Sequence, residues 1–398
     1  MLLAVDASNL RAGGGLSHLV ELLRAIDRDQ LLQVGISEIR VWAPDATLQH
    51  LPERPWLNAE RVPALNGRLP GRVYWQQRAA PQLMRHGARL LFVPGGAYIG
   101  SFRPFVTMFR NMLPFSQDRW LYGVSLRTVK LAALRPVQTL TFRRATGVIF
   151  LNDFAREALH NAIGPIGART ATIPHGVDVR FRRDAAEQRP LEACSPEQPF
   201  RLVYVSAVEA YKHQDLVAKA VARLRSRGFP VAMDFVGNSY PPAERKLLAV
   251  LATVDPAGRF IRYHGSVPHA DLTRFYQGAD GFVFASSCEN MPNILLEAMA
   301  GALPIVCSNR RPMTDLLGEA GVYFEPESVD SIAAAIEKLM RNTELRRTVA
   351  ASAALRTTEY SWQRCARETV AFIADIASPG REPASGRVGT LQEPGQAS

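Results

Sequence analysis

Short apolar segments alternate with amphipathic helical stretches along almost the whole chain, and this alternation constrains the fold more than any other feature. Strands that alternate with helices predict parallel sheets covered by helices. The run breaks once, at a polar, proline-bearing stretch, and then resumes. The predicted strands are MLLAVD at the start, 39–44, 89–95 and 146–152 in the first half, and 201–207, 231–238, 259–265, 281–287, 303–308 and 321–326 in the second.

The interruption predicts two doubly wound α/β domains in tandem. We expect a first domain over 1–178, a linker over 179–199 and a second domain over 200–360. A final helix is predicted at about 361–377. The tail, 378–398, is rich in Pro, Gly and Ser, a composition typical of disorder.

Composition limits the possible partners and the cellular location of the protein. The net charge of +10 is compatible with nucleic acid, an anionic membrane surface or phosphorylated substrates, and the basic residues form no tail or dense block. No apolar run reaches the roughly 18 residues of a membrane span, and the start lacks the features of a signal peptide. We therefore expect a cytoplasmic protein, at most attached to the inner face of the membrane. Its thiols should be reduced, since no CxxC pair is formed by Cys194, Cys288, Cys307 and Cys365.

The segment GFVFASSCENMPNILLEAMAGA is the most informative part of the chain. It predicts a buried strand, a tight loop with Glu289, and a helix with Pro292 near its first turn and Glu297 about two turns along. Free N–H groups at such a helix start suit a diphosphate, and a carboxylate can accept two ribose hydroxyls. The alternatives are that Glu289 caps the helix and that Glu297 lies on the surface, although a Glu in an apolar run needs a partner if it is buried.

Residues 287–300 resemble the Glu-x7-Glu signature of the retaining glycosyltransferase family 4, which has the GT-B fold. The resemblance implies two Rossmann-like domains that face each other across a cleft, with the final helix packed back on the first domain. Further segments resemble that family in the same order, and the resemblance extends to about residue 375. They are RAGGGLSHLVELL near the start, IPHGVD before the linker, HGSVPHADLTRFYQGADGFVFAS before the signature and LPIVCSNRRPMTDLLGEAGVYFEP after it.

The resemblance implies roles for residues of the second domain. Glu289 would contact the donor sugar or its phosphate as a catalytic residue, Glu297 would bind the ribose, and Lys212 would bind the diphosphate. The family usually pairs this lysine with an arginine, but Ala207 stands at that position. One cation would therefore remain where two are usual, unless Arg310 or Arg311 substitutes. The remaining donor-binding candidates in this domain are Asn290, Met291, Pro292, Asn293 and Ile294.

Two segments of the first domain supply further candidates. Gly14 and Gly15 lie in a glycine-rich loop, which either approaches the donor closely or makes a tight strand-to-helix turn. In FVTMFRNMLPF, Arg110 and Asn111 occupy the place of a His-Asp pair common in the family. Arg110 would stabilise a departing phosphate and Asn111 would hydrogen-bond a sugar hydroxyl; the alternative is a polar loop without a catalytic role.

An apolar stretch with interspersed basic residues, 119–147, allows two interpretations. It is either an amphipathic surface for a membrane or a lipid-linked acceptor, or a basic-edged helix packed on the sheet, and the pattern favours the second.

Together these features predict a retaining glycosyltransferase. It would move a hexose-type sugar from a nucleotide-sugar donor to a glycan or lipid-linked acceptor, in bacterial cell-surface polysaccharide or lipopolysaccharide synthesis. We expect no cofactor, no essential metal and no nucleic-acid partner. The alternatives are a sugar-nucleotide epimerase or phosphorylase-like enzyme on the same fold, and a non-catalytic basic module that binds nucleotides or nucleic acid.

Overall fold

The computed structural model describes residues 1–377 and contains two parallel β-sheets, one in each half of the chain. The predicted tail, 378–398, lies outside the described residues. The strands of the first sheet are β1 (Leu2–Asp6), β2 (Glu38–Ala43), β3 (Leu57–Arg61), β4 (Ala88–Val93), β5 (Phe105–Phe109), β6 (Gly147–Phe150) and β7 (Arg169–Thr172). Those of the second are β8 (Phe200–Val205), β9 (Val231–Val236), β10 (Ile261–Tyr263), β11 (Gly281–Phe284), β12 (Ile305–Ser308) and β13 (Val322–Phe324).

Helices cover both faces of each sheet, so the central strands are buried along their whole length and read as continuous apolar runs. The helices of the first half are α1 (Gly14–Ala25), α2 (Arg28–Gln33), α3 (Asp45–Leu48), α4 (Pro63–Asn66), α5 (Leu69–Arg85), α6 (Leu126–Arg144) and α7 (Asp153–Ile163). Those that follow are α8 (Gln214–Ser226), α9 (Pro241–Val254), α10 (Leu272–Gln277), α11 (Asn293–Ala300), α12 (Met313–Leu317), α13 (Val329–Arg341), α14 (Thr343–Arg356) and α15 (Trp362–Ala377).

Both sheets are doubly wound. The strand order is β3-β2-β1-β4-β5-β6-β7 in the first sheet and β10-β9-β8-β11-β12-β13 in the second. In the first, Val5 of β1 lies between Val41 and Phe92 of its two neighbours. The order reverses at β1/β4 and at β8/β11, and a doubly wound sheet binds ligands at the carboxyl ends of its strands at such a reversal. The two reversals therefore position the site.

The chain crosses between the sheets twice. It crosses first between β7 and β8, and it returns after α14 into α15, which packs on α1 and α2 of the first half. The two crossings meet where Val177 donates its backbone N–H to the carbonyl of Tyr360. A Cβ on Gly176 would lie 2.1 Å from the backbone nitrogen of Trp362, so this close approach requires glycine.

The doubly wound α/β architecture predicted from the alternation is confirmed, with differences in detail. The sequence prediction missed β3, β5 and β7; β3 and β7 are short, are not fully buried and lie at the sheet edges. Two helices follow β13, because Asn342 ends α13 and its side chain caps α14 by accepting from the N–H of Leu345. Among the helices of residues 1–377, none has both the length and the apolar character needed to cross a bilayer.

Candidate functional site

A cleft of about 700 Å³ lies between the carboxyl ends of the two sheets. Residues from both halves of the chain line it. Although they are separated by up to 283 positions in the sequence, all twelve candidate residues lie on its walls. They are Gly14, Gly15, Arg110, Asn111, Lys212, Glu289, Asn290, Met291, Pro292, Asn293, Ile294 and Glu297.

The loop between β11 and α11 forms the floor of the cleft. Pro292 is the N-cap of α11, so the first N–H groups of this helix have no carbonyl partners within the helix. The loop is held from the other domain: the side-chain amide of Asn290 donates to the carbonyl of Phe109 at 3.0 Å, and the ring of His175 contacts the carbonyl of Met291 at 3.1 Å. The position of this helix start therefore depends on both domains.

Lys212 and Glu289 form an ion pair inside the cleft. The side chains are only 7% and 13% exposed, and the Lys212 ammonium also lies 4.9 Å from the ring centre of Phe284. Lys212 ends a short 3-10 turn that begins at Ala210, and its carbonyl accepts from the hydroxyl of Tyr204 at 2.8 Å. Pairing offsets the cost of burying both charges, and it fixes the Glu289 carboxylate next to the start of α11.

Glu297 is buried, with 5% of its surface exposed, and it has the partners that a buried carboxylate needs. Tyr276 donates its hydroxyl to one carboxylate oxygen at 2.9 Å, and His269 contacts the other at 3.1 Å. Burial, and then the charge of Glu297, raise the pKa of Tyr276 well above its usual value, so its hydroxyl stays a donor. Glu297 is the fifth residue of α11, one turn into the helix rather than two. Since each carboxylate oxygen can accept a second bond, the group can still receive ligand hydroxyls from the cleft.

In this structure, neither Arg310 nor Arg311 takes the place of the family's arginine at the position of Ala207. Ala207 lines the cleft, but Arg310 pairs with Glu325, and Arg311 pairs with Asp315 and with Glu157 of the other domain. Neither arginine lines the cleft. The arginine that does is Arg110, on the opposite wall.

Arg110 follows β5 and spans to the glycine loop. Its Nη2 donates to the carbonyl of Gly14 at 2.7 Å, whereas its Nη1 is buried and has no hydrogen-bond partner within residues 1–377. Burial lowers the pKa of Arg110 to about 10, so the side chain is still a cation at neutral pH. Part of the hydrogen-bonding capacity of Asn111 is already used, because its side-chain oxygen accepts from the N–H of Leu113. Arg110 therefore lines the cleft as a cation, and one nitrogen of its guanidinium has no partner within the described residues.

The glycine loop combines a tight turn with close packing. Gly13, the N-cap of α1, has φ of +71°, which favours glycine, and a Cβ on Gly15 would lie 2.9 Å from a methyl group of Leu10. Gly14 has room for a side chain by the same measure. The turn explains this loop without a ligand, while the contact between Gly14 and Arg110 links it to the cleft.

An aromatic cluster of His18, His175 and Trp362 lies behind the glycine loop. His175 stacks on Trp362 with ring centres 5.8 Å apart, and His18 meets Trp362 edge-on at 5.3 Å. Both ring nitrogens of His18 are buried without a hydrogen-bond partner in the described chain. Burial lowers the pKa of His18 well below its usual value and that of His175 to about 4, so both rings are neutral at neutral pH.

A second contact joins the domains beside the cleft. Glu209 accepts from the hydroxyl of Tyr122 at 2.8 Å and pairs with Arg127 at 2.6 Å. The Arg127 guanidinium lies between the rings of Tyr122 and Tyr240, at 4.8 and 4.9 Å from their centres. Sequence reasoning missed this group, as it missed Tyr276, His269 and the aromatic cluster. No local pattern marks them, because each acts on a partner at least 21 residues away or in the other domain.

Comparisons with known proteins identify similar sequences and similar folds. Residues 199–342 match the family model described as glycosyl transferases group 1. The O-antigen chain mannosyltransferase B of Escherichia coli is 34% identical over 111 residues, which are 28% of this chain and only 29% of that relative. The chain thus spans less than a third of the length of this curated relative.

Solved structures match over nearly the whole chain. Sucrose-phosphate synthase from Thermosynechococcus elongatus has a TM-score of 0.71 at 17% identity and covers 93% of this chain and 97% of its own. Anabaena Alr3699/HepE, solved in complex with UDP-glucose, has a TM-score of 0.65 at 16% identity, with coverage of 94% and 98%. Residues 199–342 are therefore similar to the group 1 glycosyl transferases, and the chain has the two-domain GT-B fold of these solved structures.

Proposed function

We propose that this protein transfers a hexose-type sugar from a nucleotide-sugar donor to a hydroxyl of a glycan or glycolipid acceptor, with retention of anomeric configuration. One observation carries the proposal: groups suited to each part of such a donor line a single cleft. A carboxylate, a helix start with an ammonium group, and a second carboxylate follow one another along its second-domain wall.

The parts of the donor would follow one another along the cleft, from the nucleoside to the sugar. Glu297 would accept the ribose hydroxyls on the lone pairs that Tyr276 and His269 leave free. The diphosphate would lie on the first N–H groups of α11, beside the Lys212 ammonium, because a helix start and a cation both favour negative charge. Glu289, held by Lys212, would then face the sugar.

Arg110 supplies the second cation that Ala207 cannot provide. Negative charge grows on the diphosphate as the glycosidic bond breaks, and a fixed donor aimed at that charge stabilises the transition state more than the ground state. Arg110, a cation that lines the cleft and is held by its hydrogen bond to Gly14, would be such a donor. Asn111, next along the chain, would hydrogen-bond a sugar hydroxyl.

Relatives support the choice of substrates. Anabaena Alr3699/HepE was solved with UDP-glucose, and the Escherichia coli relative acts on the O-antigen chain. We therefore propose a role in bacterial cell-surface polysaccharide or lipopolysaccharide synthesis.

The test begins with binding. Thermal-shift screening against nucleotide sugars and free nucleoside diphosphates should identify a stabilising donor, and Glu297→Ala should weaken both kinds of ligand, since they share the ribose. Transfer to a glycan or glycolipid acceptor is then followed by NMR, which reports the anomeric configuration of the product. Conversion of the donor without acceptor would indicate an epimerase instead, and the absence of binding to every nucleotide would overturn the proposal.

A further inference from the structure

The net positive charge of this protein arises from one segment. Residues 61–152 contain 14 of the 47 Lys and Arg residues but only one of the 37 Asp and Glu residues. The segment therefore carries a charge of +13, and the rest of the chain carries −3. The basic residues of the segment form no dense block, and the asymmetry arises mainly because the segment has almost no acidic residues.

The fold gathers this segment on one side of the first domain. Helices α5 and α6 contribute to the same core cluster, and they lie on the same face of the sheet. The single acid of the segment, Asp118, faces the other domain and accepts from the hydroxyl of Ser287 at 2.6 Å. Acidic residues return only on the next helix, α7, with Asp153 and Glu157. The outer side of α5 and α6 is thus basic without acids of its own.

Exposed apolar side chains lie within the same surface. Five occur between residues 120 and 129, around the turn that precedes α6; Leu126 is 89% exposed and Trp120 is 58% exposed. Both α5 and α6 connect parallel strands, so both run from the carboxyl edge of the sheet, and Leu69 and Tyr74 at the start of α5 lie at that same edge. We call this set the apolar edge: Leu69, Tyr74, Trp120, Leu121, Val124, Leu126 and Val129.

We propose that the apolar edge, with the basic outer side of α5 and α6, docks on an anionic phospholipid membrane. Anionic headgroups attract Lys and Arg, and apolar side chains that reach the acyl boundary add affinity. A nucleic acid would match the charge, but it offers nothing to bury bare aliphatic groups such as Val124 and Leu126, which are almost fully exposed. Because the cleft also lies at the carboxyl edge, docking would hold its mouth near the bilayer. The proposal does not depend on the transfer reaction.

The test is co-sedimentation of the full-length protein with lipid vesicles. Binding should be strong to phosphatidylcholine mixed with phosphatidylglycerol, weak to phosphatidylcholine alone, and reduced by added salt, which screens the headgroup attraction. Equal binding to both vesicles, or to neither, would overturn the proposal.

Two variants separate the apolar and basic contributions. Val124→Asp with Leu126→Asp should lower the vesicle partition coefficient by roughly tenfold or more. Arg68→Glu with Arg78→Glu and Lys130→Glu should lower it by roughly a hundredfold. These side chains are exposed, and melting temperature reports whether the variants remain folded.

Matched controls lie in the second domain. Leu248→Asp with Leu355→Asp changes two exposed leucines, and Lys219→Glu with Arg262→Glu and Lys338→Glu makes the same change in net charge. Both controls should bind vesicles within about twofold of the parent protein, because electrostatic attraction to the bilayer is local. Losses as large as those of the docking variants would contradict a defined surface. Unchanged vesicle binding in the Val124 and Leu126 variant, together with tight binding of an oligonucleotide, would assign the surface to nucleic acid instead.

Discussion

The charged groups on the two walls of the cleft differ in whether they have partners within the protein. On the second-domain wall, Lys212 pairs with Glu289, and both oxygens of Glu297 have protein partners. On the first-domain wall, Arg110 keeps a buried nitrogen unpaired, and His18 behind it has no hydrogen-bond partner for either ring nitrogen in residues 1–377. Removing one member of a buried ion pair costs stability, whereas a buried donor without a partner already lowers the stability of the folded protein. Substitutions on the two walls should therefore separate stability from turnover.

The largest effect is expected at the ion pair. Lys212→Met leaves the Glu289 carboxylate buried without its partner, and removing one member of such a pair costs about 3 kcal/mol of the free energy of unfolding. Urea denaturation measures this loss. Nucleoside diphosphate affinity should also fall more than nucleoside affinity, because the ammonium is proposed to contact phosphate. Equal losses for both ligands would contradict the phosphate role.

The matching substitution on the other wall is Arg110→Met. Turnover should fall by about a hundredfold, the typical cost of one donor to developing charge, or about 2.7 kcal/mol of barrier. The free energy of unfolding should change by only about 1 kcal/mol, because loss of the hydrogen bond to Gly14 is offset by removal of the unpaired, buried nitrogen. A loss of stability as large as that of Lys212→Met would remove the distinction between the walls.

A smaller effect is expected for Glu289→Gln. The amide oxygen can still accept from Lys212, so the pair loses charge but keeps its hydrogen bond. We expect turnover to fall by at least roughly tenfold, about 1.4 kcal/mol, because a fixed carboxylate stabilises positive charge on the sugar ring in the transition state. Nucleotide affinity should stay nearly constant. Melting temperature and turnover are measured on the same sample, and normal turnover with lost stability would indicate a helix-capping role.

The effect that is smallest at neutral pH, and that grows as the pH falls, concerns the two buried histidines. Burial holds the pKa of His18 well below its usual value and that of His175 at about 4, whereas both would titrate near 6.5 when unfolded. The unfolded chain therefore binds more protons below that pH, so the free energy of unfolding should fall as pH drops from about 6.5 towards 4, by at most about 1.4 kcal/mol per unit for each ring.

His18→Phe tests this dependence, because the ring has no hydrogen bonds to lose. The variant should keep its stability at neutral pH and should flatten the slope by the share of one histidine. His50→Gln, at an exposed position, is the control and should follow the parent protein. Denaturant titrations at a series of pH values give the slopes, and an unchanged slope in His18→Phe would show that this ring is not the neutral group proposed.

The continuous segment from β11 through α11 could be interpreted from the sequence because its geometry is local. A buried strand, a tight loop and a helix start fix where Glu289, Pro292 and Glu297 lie relative to one another, whatever surrounds them. The alternation of strands and helices likewise determined both doubly wound sheets. The edge strands β3 and β7 were not predicted from the sequence, because a strand that is not fully buried needs no continuous apolar run.

By itself, then, the sequence determined the architecture and the second-domain wall, which depend on local periodicity and on short spacings. Only the tertiary structure decided which charges meet. Lys212 pairs with Glu289 although 77 residues separate them in the sequence. Arg310 and Arg311 form ion pairs outside the cleft, and Arg110 lines the cleft from the opposite domain. The physical reason is that pairing and burial depend on distances in space, and a chain that crosses twice between two sheets sets those distances through packing that no short stretch of sequence contains.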